Sequence, residues 1–160
     1  MTCGWEQNPA AWDAATAGYA VEVAPRTAGF AADLVALLSP PPGARFLDVA
    51  CGTGVVAREA ARVGSRVVAI DFSPNMTQRA IRAAHAAGLP LTVREMDGHA
   101  LDFSDDSFDY AASLFGLQFF ADRALALREM RRVLVRVATL RSARGRSPPG
   151  SNCSLRWCER

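Results

Sequence analysis

The segment Phe46-Leu-Asp-Val-Ala-Cys-Gly-Thr-Gly54 constrains this chain more than any other. A short, apolar, β-prone run from Arg45 to Val49 breaks at Gly52 and Gly54, and helical character begins at once at Val55. Glycines in such a turn let a ligand come close to the backbone, while the start of the helix presents N–H groups that no residue of the helix can satisfy. A strand that ends in a glycine turn and feeds a helix is the opening unit of a parallel sheet, because parallel strands need a long crossover between them.

The alternation continues. Val55–Val63 reads as a helix and Arg66–Ile70 as a second buried strand. Ser73-Pro74 is a helix start, with Ser at the N-cap and Pro at the first helical position, and Gly88 and Pro90 stop that helix near Ala87. Leu91–Glu95 is a third strand and Phe108–Ser113 a fourth, introduced by the turn-forming Asp105-Asp106-Ser107. Asp122–Leu134 is a final helix with Leu127, Met130 and Leu134 on one face. Before the first strand, residues 9–39 read as two helical stretches, the second carrying Phe30, Val35 and Leu38 and ended by Ser39-Pro-Pro-Pro-Gly43. The expected fold is α/β: a Rossmann-like, three-layer α/β/α parallel sheet, incomplete at its C-terminal strands. Residues 1–44 are expected to form a helical cap, 45–134 the core and 135–160 a basic, disordered tail.

The glycine turn alone is ambiguous, since Gly52-x-Gly54-x-x-Ala57 also fits the dinucleotide fingerprint and keeps a nicotinamide-dependent oxidoreductase open. Two further carboxylates sharpen the reading. Asp71 ends the second strand, nineteen residues after Gly52, where an acid can accept from ribose hydroxyls, and Asp97 follows the third strand. In a parallel sheet Asp48, Asp71 and Asp97 come to one edge, where ligands of such folds bind. Three acids at one crevice suit a cationic ligand that carries an ammonium, a ribose and an adenine amino group.

In this order, Leu47-Asp-Val-Ala-Cys-Gly-Thr-Gly54, Ala69-Ile-Asp-Phe-Ser-Pro-Asn-Met76, Asp97 and Asp106-Ser-Phe-Asp109 resemble the class I methyltransferases. The nearest group is the small-molecule methyltransferases that include the ubiquinone and menaquinone biosynthesis enzymes, and Ala124–Leu134 resembles that group's helix after strand four. The resemblance implies S-adenosyl-L-methionine as cofactor and a small-molecule methyl acceptor. It implies that Asp48, Ala50 and the Cys51–Gly54 backbone, Gly52 and Gly54 included, hold the methionine part. Asp71 would take the ribose hydroxyls, with Phe72 and Met76 beside it; Asp97 would accept from the adenine amino group, with Gly98 next to the ring. Leu114 and Phe115 would line the cleft near the sulfonium. No catalytic base is nominated. His99 is the tempting one, and a solvent-exposed loop position is its plainer reading. Asp105, Asp106 and Asp109 read as turn and solubility residues, and Cys51 as a small apolar residue in a tight turn. A cofactor-binding module without turnover is the alternative from outside enzymology.

Charge divides the chain. Residues 1–133 carry 12 Arg against 15 acids, a net of −3, while 134–160 carry six Arg against one acid, a net of +5; there is no Lys. The first part offers no basic face for nucleic acid. No apolar run approaches the roughly 18 residues of a membrane helix, and the N-terminus lacks a signal-like segment, so a cytoplasmic protein is expected. Four scattered cysteines form neither a disulfide framework nor a zinc spacing, and no metal is expected. After Leu134 the resemblance predicts a Pro-Gly-Gly turn and another strand, whereas the chain turns to Arg, Ser, Pro and Gly. A shifted reading frame or a wrong gene boundary near Leu134 is one origin for such a change. Its expected consequence is an unpaired outer edge on strand four, with Val135–Leu140 as a makeshift strand at most.

Overall fold

A computed structural model describes residues 8–143. It contains helix α1 (Pro9–Gly18), a π-helical turn (Tyr19–Val23), α2 (Ala24–Leu38), strand β1 (Arg45–Val49), α3 (Val55–Arg62), β2 (Arg66–Asp71), α4 (Pro74–Ala86) and β3 (Leu91–Glu95). There follow β4 (Phe108–Leu114), a 3₁₀ turn (Leu117–Phe119), α5 (Arg123–Arg132) and β5 (Leu134–Ala143). The five strands form one sheet in the order β3-β2-β1-β4-β5, and every pair is parallel.

The two-residue period of the strands sorts side chains onto two faces. Phe46 on β1, Val67 and Ala69 on β2 and Ala112 on β4 join Leu34, Val35 and Leu38 of α2 and Val56, Ala57 and Ala60 of α3. Leu47 and Val49, Ile70, and Phe108 and Ala111 face the other way, against Met130 of α5, Val133, Leu134 and Leu101 of the β3–β4 connection. Three layers result, with the sheet in the middle. Each large apolar side chain fully withdrawn from water here is worth about 1.5–3 kcal/mol before its entropy cost. The apolar stripe of α2 is centred differently from its sequence reading: Ala31, Leu34, Val35 and Leu38 are buried, whereas Phe30 is 41% exposed.

The outer edge of β4 departs from expectation. It is paired by β5, from Phe108↔Leu134 through Leu114↔Ala143, with a register shift between Phe108 and Tyr110. The missing glycine turn is replaced by long-range hydrogen bonds. The last carbonyls of α5 accept from the start of β4, Asp106 N–H to Arg132 O at 3.3 Å and Phe108 N–H to Val133 O at 2.9 Å, so the helix hands over directly to a strand. Leu134 thereby belongs to β5 and not to the helix. The remaining tail, residues 144–160, lies outside the described residues, as do Cys3, Cys153 and Cys158.

Two arginines organise the loops. Arg45 forms a fork on Asp109, Nη2 to Oδ1 at 2.6 Å and Nε to Oδ2 at 3.2 Å, and its backbone N–H donates to the same carboxylate at 2.8 Å. Arg132 donates at 2.8 Å to the carbonyls of Leu101 and Phe103, to Asp105 and twice to Glu129, which places all five guanidinium N–H groups. Asp105 and Asp109, read from sequence as turn and solubility residues, are therefore also ion-pair partners.

Candidate cofactor crevice

At the C-terminal edge of the sheet, the β1–α3 turn adopts left-handed backbone at Ala50 (φ 56°), Gly52 (φ 54°) and Gly54 (φ 77°). Glycine makes this easy at two of the three positions; Ala50 and, after β4, Phe115 (φ 60°) hold it at a cost that such residues carry mainly at functional sites. Gly54 cannot cap α3 with a side chain. Asp48 does so from the strand: its Oδ2 accepts the Ala57 N–H at 2.9 Å. The Asp48 side chain lies beneath the turn and the residue is 1% exposed. Burial pushes its carboxyl up to about 8, opposed by the Ala57 N–H and reinforced by Asp71.

Asp71 joins two turns. Its Oδ2 accepts from Gly52 N–H at 2.8 Å and its Oδ1 from Ser73 N–H at 3.0 Å. Burial raises its carboxyl above the usual range, and the N–H groups of Ser73, Gly52 and Phe72 pull it back. Ser73 then caps α4, its Oγ accepting from Met76 N–H at 3.2 Å. Met76, in the first turn of that helix, is buried, while Phe72 is half-buried beside Asp71. The Cys51 thiol is buried, which raises its pKa well above the usual thiol value, as suits a small apolar filler.

Asp97 lies two residues beyond β3, on the same edge, with Gly98 behind it. A Cβ on Gly98 would stand 2.6 Å from Phe120 Cε1 and 3.1 Å from Val49 Cγ1, so the ring of Phe120 occupies the space a side chain would need. We expect Gly98→Ala to displace Phe120 and to lower stability by about 1–3 kcal/mol, read as a fall in the thermal midpoint. An unchanged midpoint would mean that Phe120 swings away freely.

The sequence points to a helical cap before residue 45 but not to the side chains that meet this edge. Tyr19, at the π-helical turn, lies across the β1 turn, where a Cβ on Gly52 would meet its Cε1 at 3.6 Å. Burial, and then the charges of Asp71 and Asp48, raise the Tyr19 phenol. Trp12 makes edge contacts with Tyr19 at 6.3 Å and with Phe119 at 5.0 Å, and Phe30 meets Phe115 at 5.5 Å. Asp13 fastens this roof: its Oδ1 accepts from Ser73 Oγ at 2.5 Å and from Asn75 N–H at 2.9 Å. The helical spacing of Trp12 and Tyr19, seven residues apart, was a visible signal, but nothing in the sequence said where that face docks. Leu114 and Phe115 are half-buried at the end of β4, and Gly116 brings that loop against Ala50, 2.7 Å from its Cβ to a Cβ built on the glycine.

The structure thus brings Asp48, Ala50, Cys51, Gly52, Gly54, Asp71, Phe72, Asp97, Gly98, Leu114 and Phe115 to one edge of the sheet, with Met76 packed beneath. Among the described residues no cluster of three or more His, Cys, Asp or Glu is arranged for a metal ion. No described helix is long and apolar enough to cross a membrane.

A family model described as methyltransferase domain matches residues 47–140, and the chain belongs to that family. The match runs beyond Leu134 into β5. An uncharacterized protein of Mycobacterium tuberculosis is 40% identical over 100 residues, 62% of this chain and 36% of that protein. A demethylmenaquinone methyltransferase of Corynebacterium kroppenstedtii is 41% identical over 97 residues, covering 61% of this chain and 40% of its own. The chain therefore spans well under half the length of these curated relatives. Among solved structures, a chain from the complex of the Haloferax volcanii Trm112 methyltransferase activator with a methyltransferase superposes with a TM-score of 0.70 at 28% identity, covering 82% of this chain and 58% of that one.

Proposed function

We propose that this chain binds S-adenosylmethionine across the C-terminal ends of β1, β2 and β3 and serves methyl transfer to a small-molecule acceptor. The observation that carries the proposal is the convergence of Asp48, Asp71 and Asp97 around a left-handed glycine turn. Family membership and the demethylmenaquinone methyltransferase relative support the same chemistry.

The residues present fit such a ligand. Thr53 Oγ1 and Ser113 Oγ are buried at this edge with no hydrogen-bond partner, and both could take a polar group of a ligand. Asp48 and the Cys51–Gly54 backbone would hold the amino-acid end, and a buried acid beside an ammonium is the pairing that low polarity demands. Beyond the N–H groups of Gly52, Ser73 and Phe72, the Asp71 carboxylate would turn its remaining acceptor capacity to the ribose hydroxyls. Asp97 would accept from the adenine amino group. Leu114 and Phe115 would wall the reacting end.

When bound, the cofactor supplies a methyl group on a positively charged sulfonium. Because that charge is dispersed during transfer, alignment and exclusion of water matter more than a proton acceptor. The chain's part is accordingly to orient and to dry: the roof of Trp12, Tyr19 and Phe119 from residues before 45 and the 3₁₀ turn covers the crevice built by 45–134. No side chain is assigned as a base.

The test is calorimetric titration of the chain with S-adenosylhomocysteine, with NAD as the competing cofactor and circular dichroism as the check of folding. Roughly micromolar binding of the first and none of the second is expected. A folded protein that ignores S-adenosylhomocysteine, or prefers NAD, would overturn the proposal.

A further inference from the structure

His99 is neither free nor simply exposed. Its backbone N–H donates to Asp97 Oδ1 at 2.9 Å, and its ring Nδ1 lies 2.8 Å from the same oxygen. On the far side of the ring, Nε2 accepts the backbone N–H of Asp122 at 3.3 Å. A ring nitrogen that accepts carries no proton, so the network assigns the proton to Nδ1, which donates to Asp97. The ring also leans on Phe120, 4.9 Å between centroids, and that ring fills the space over Gly98. Asp122 is the N-cap of α5, its Oδ1 accepting from Leu125 N–H at 2.8 Å. His99 therefore ties the turn after β3 to the start of the helix that packs on the sheet's far face.

The consequence falls on Asp97. One carboxylate oxygen is held twice, whereas nothing among the described residues hydrogen-bonds to Oδ2. The Asp97 side chain is 60% exposed, against 22% for His99. A carboxylate on an open turn would otherwise sample several rotamers, and ordering it on binding costs affinity.

We propose that His99 is a positioning residue, which fixes Asp97 so that Oδ2 accepts the amino group of a 6-aminopurine and thereby sets the preference for adenine over a 6-oxopurine. The inference rests on the cofactor reading above, and on Asp97 as its adenine-side acid. A 6-oxo group would turn a carbonyl toward the same carboxylate oxygen, acceptor against acceptor. Ring chemistry at His99 is not required; what matters is a donor on one side and an acceptor on the other.

The experiment compares S-adenosylhomocysteine with S-inosylhomocysteine, its 6-oxo counterpart, by calorimetry on the wild-type chain and on the His99→Ala and His99→Asn variants, each checked for folding by circular dichroism. The wild type is expected to favour the adenosyl ligand by roughly 20-fold. His99→Ala should narrow that ratio to roughly 3-fold, almost wholly by weakening the adenosyl ligand, and His99→Asn, whose amide can still donate to Asp97, should restore part of it. Equal weakening of both ligands, or an unchanged ratio in the variants, would overturn the inference and leave His99 a structural tie. A wild type that binds both ligands alike would overturn it while the cofactor reading stands. Binding of neither by the folded wild type would remove the cofactor reading and this inference together. Should His99→Ala fail to fold, His99→Asn decides: a ratio below the wild type's, lost through the adenosyl ligand alone, supports the inference, and a wild-type ratio overturns it.

Discussion

Replacing Asp71 by alanine is expected to weaken S-adenosylhomocysteine binding by at least ~100-fold, the loss of two charge-assisted hydrogen bonds to ribose hydroxyls. The same change removes the acceptor for Gly52 N–H and Ser73 N–H, inside a site where Asp71 is only 6% exposed. Each donor left without a partner costs about 1–3 kcal/mol, so the alanine variant should also melt earlier. Asp71→Asn separates the two effects. Its single carbonyl oxygen can still serve one of the two N–H groups, so it should recover part of the lost stability while affinity stays low. The measurements are calorimetric titration beside thermal denaturation. Affinity within about 3-fold of the wild type in a folded Asp71→Asn protein would place the ribose elsewhere.

Protonation at Asp48 should produce the second large effect. Burial holds its carboxyl at about 8, against an ordinary value of 3.8 in the unfolded chain. The folded pKa is the higher one, so folding favours the protonated acid. Below pH 3.8 both states carry the proton and nothing is lost. As pH climbs from there toward 8, the unfolded chain ionises first and stability falls, levelling off once the folded carboxyl has ionised as well. A gap of that size corresponds to about 6 kcal/mol across the interval, and Asp71, displaced the same way, adds to the slope. Asp48→Asn should flatten the profile. A ligand ammonium beside Asp48 favours the ionised form, so binding at pH 7 should release about one proton, visible in calorimetry as a dependence of the heat on buffer ionisation enthalpy. Binding heats that are the same in every buffer would count against an ammonium at Asp48.

Much of this architecture could be read from the chain because local chemistry specified it. Arg45–Val49 and Leu91–Glu95 begin and end where the sequence pattern puts them, and Ser73-Pro74 starts α4 through a cap that the serine makes itself. Asp48 and Asp71 were visible as acids at strand ends for the same reason. What escaped detection depends on partners far away in sequence. Asp13 reaches Ser73 across sixty residues, Arg45 finds Asp109 across sixty-four, and His99 meets Asp122 across twenty-three. No window of local pattern contains such pairs. The fifth strand is legible only as a makeshift Val135–Leu140, because no glycine stop follows α5 in the sequence and the stop is made instead by N–H groups of Asp106 and Phe108. Leu134-Val-Arg-Val-Ala-Thr-Leu140 is itself rich in β-formers, which suits it to the strand it forms.

The strand order also sets a timetable for assembly. β1 lies at the middle of the sheet, with β2 on one side and β4 on the other. The half built from β1, β2 and β3 can close as soon as about fifty residues beyond Arg45 have emerged from a ribosome, since each of its pairings joins neighbours in sequence. The other flank of β1 must wait until Phe46 can meet Tyr110. During that interval a central, apolar strand has one open edge in a nascent chain, a condition that exposes it to mispairing with other chains. Arg45, whose backbone N–H and guanidinium both grip Asp109, closes that edge at its first residue as β4 arrives.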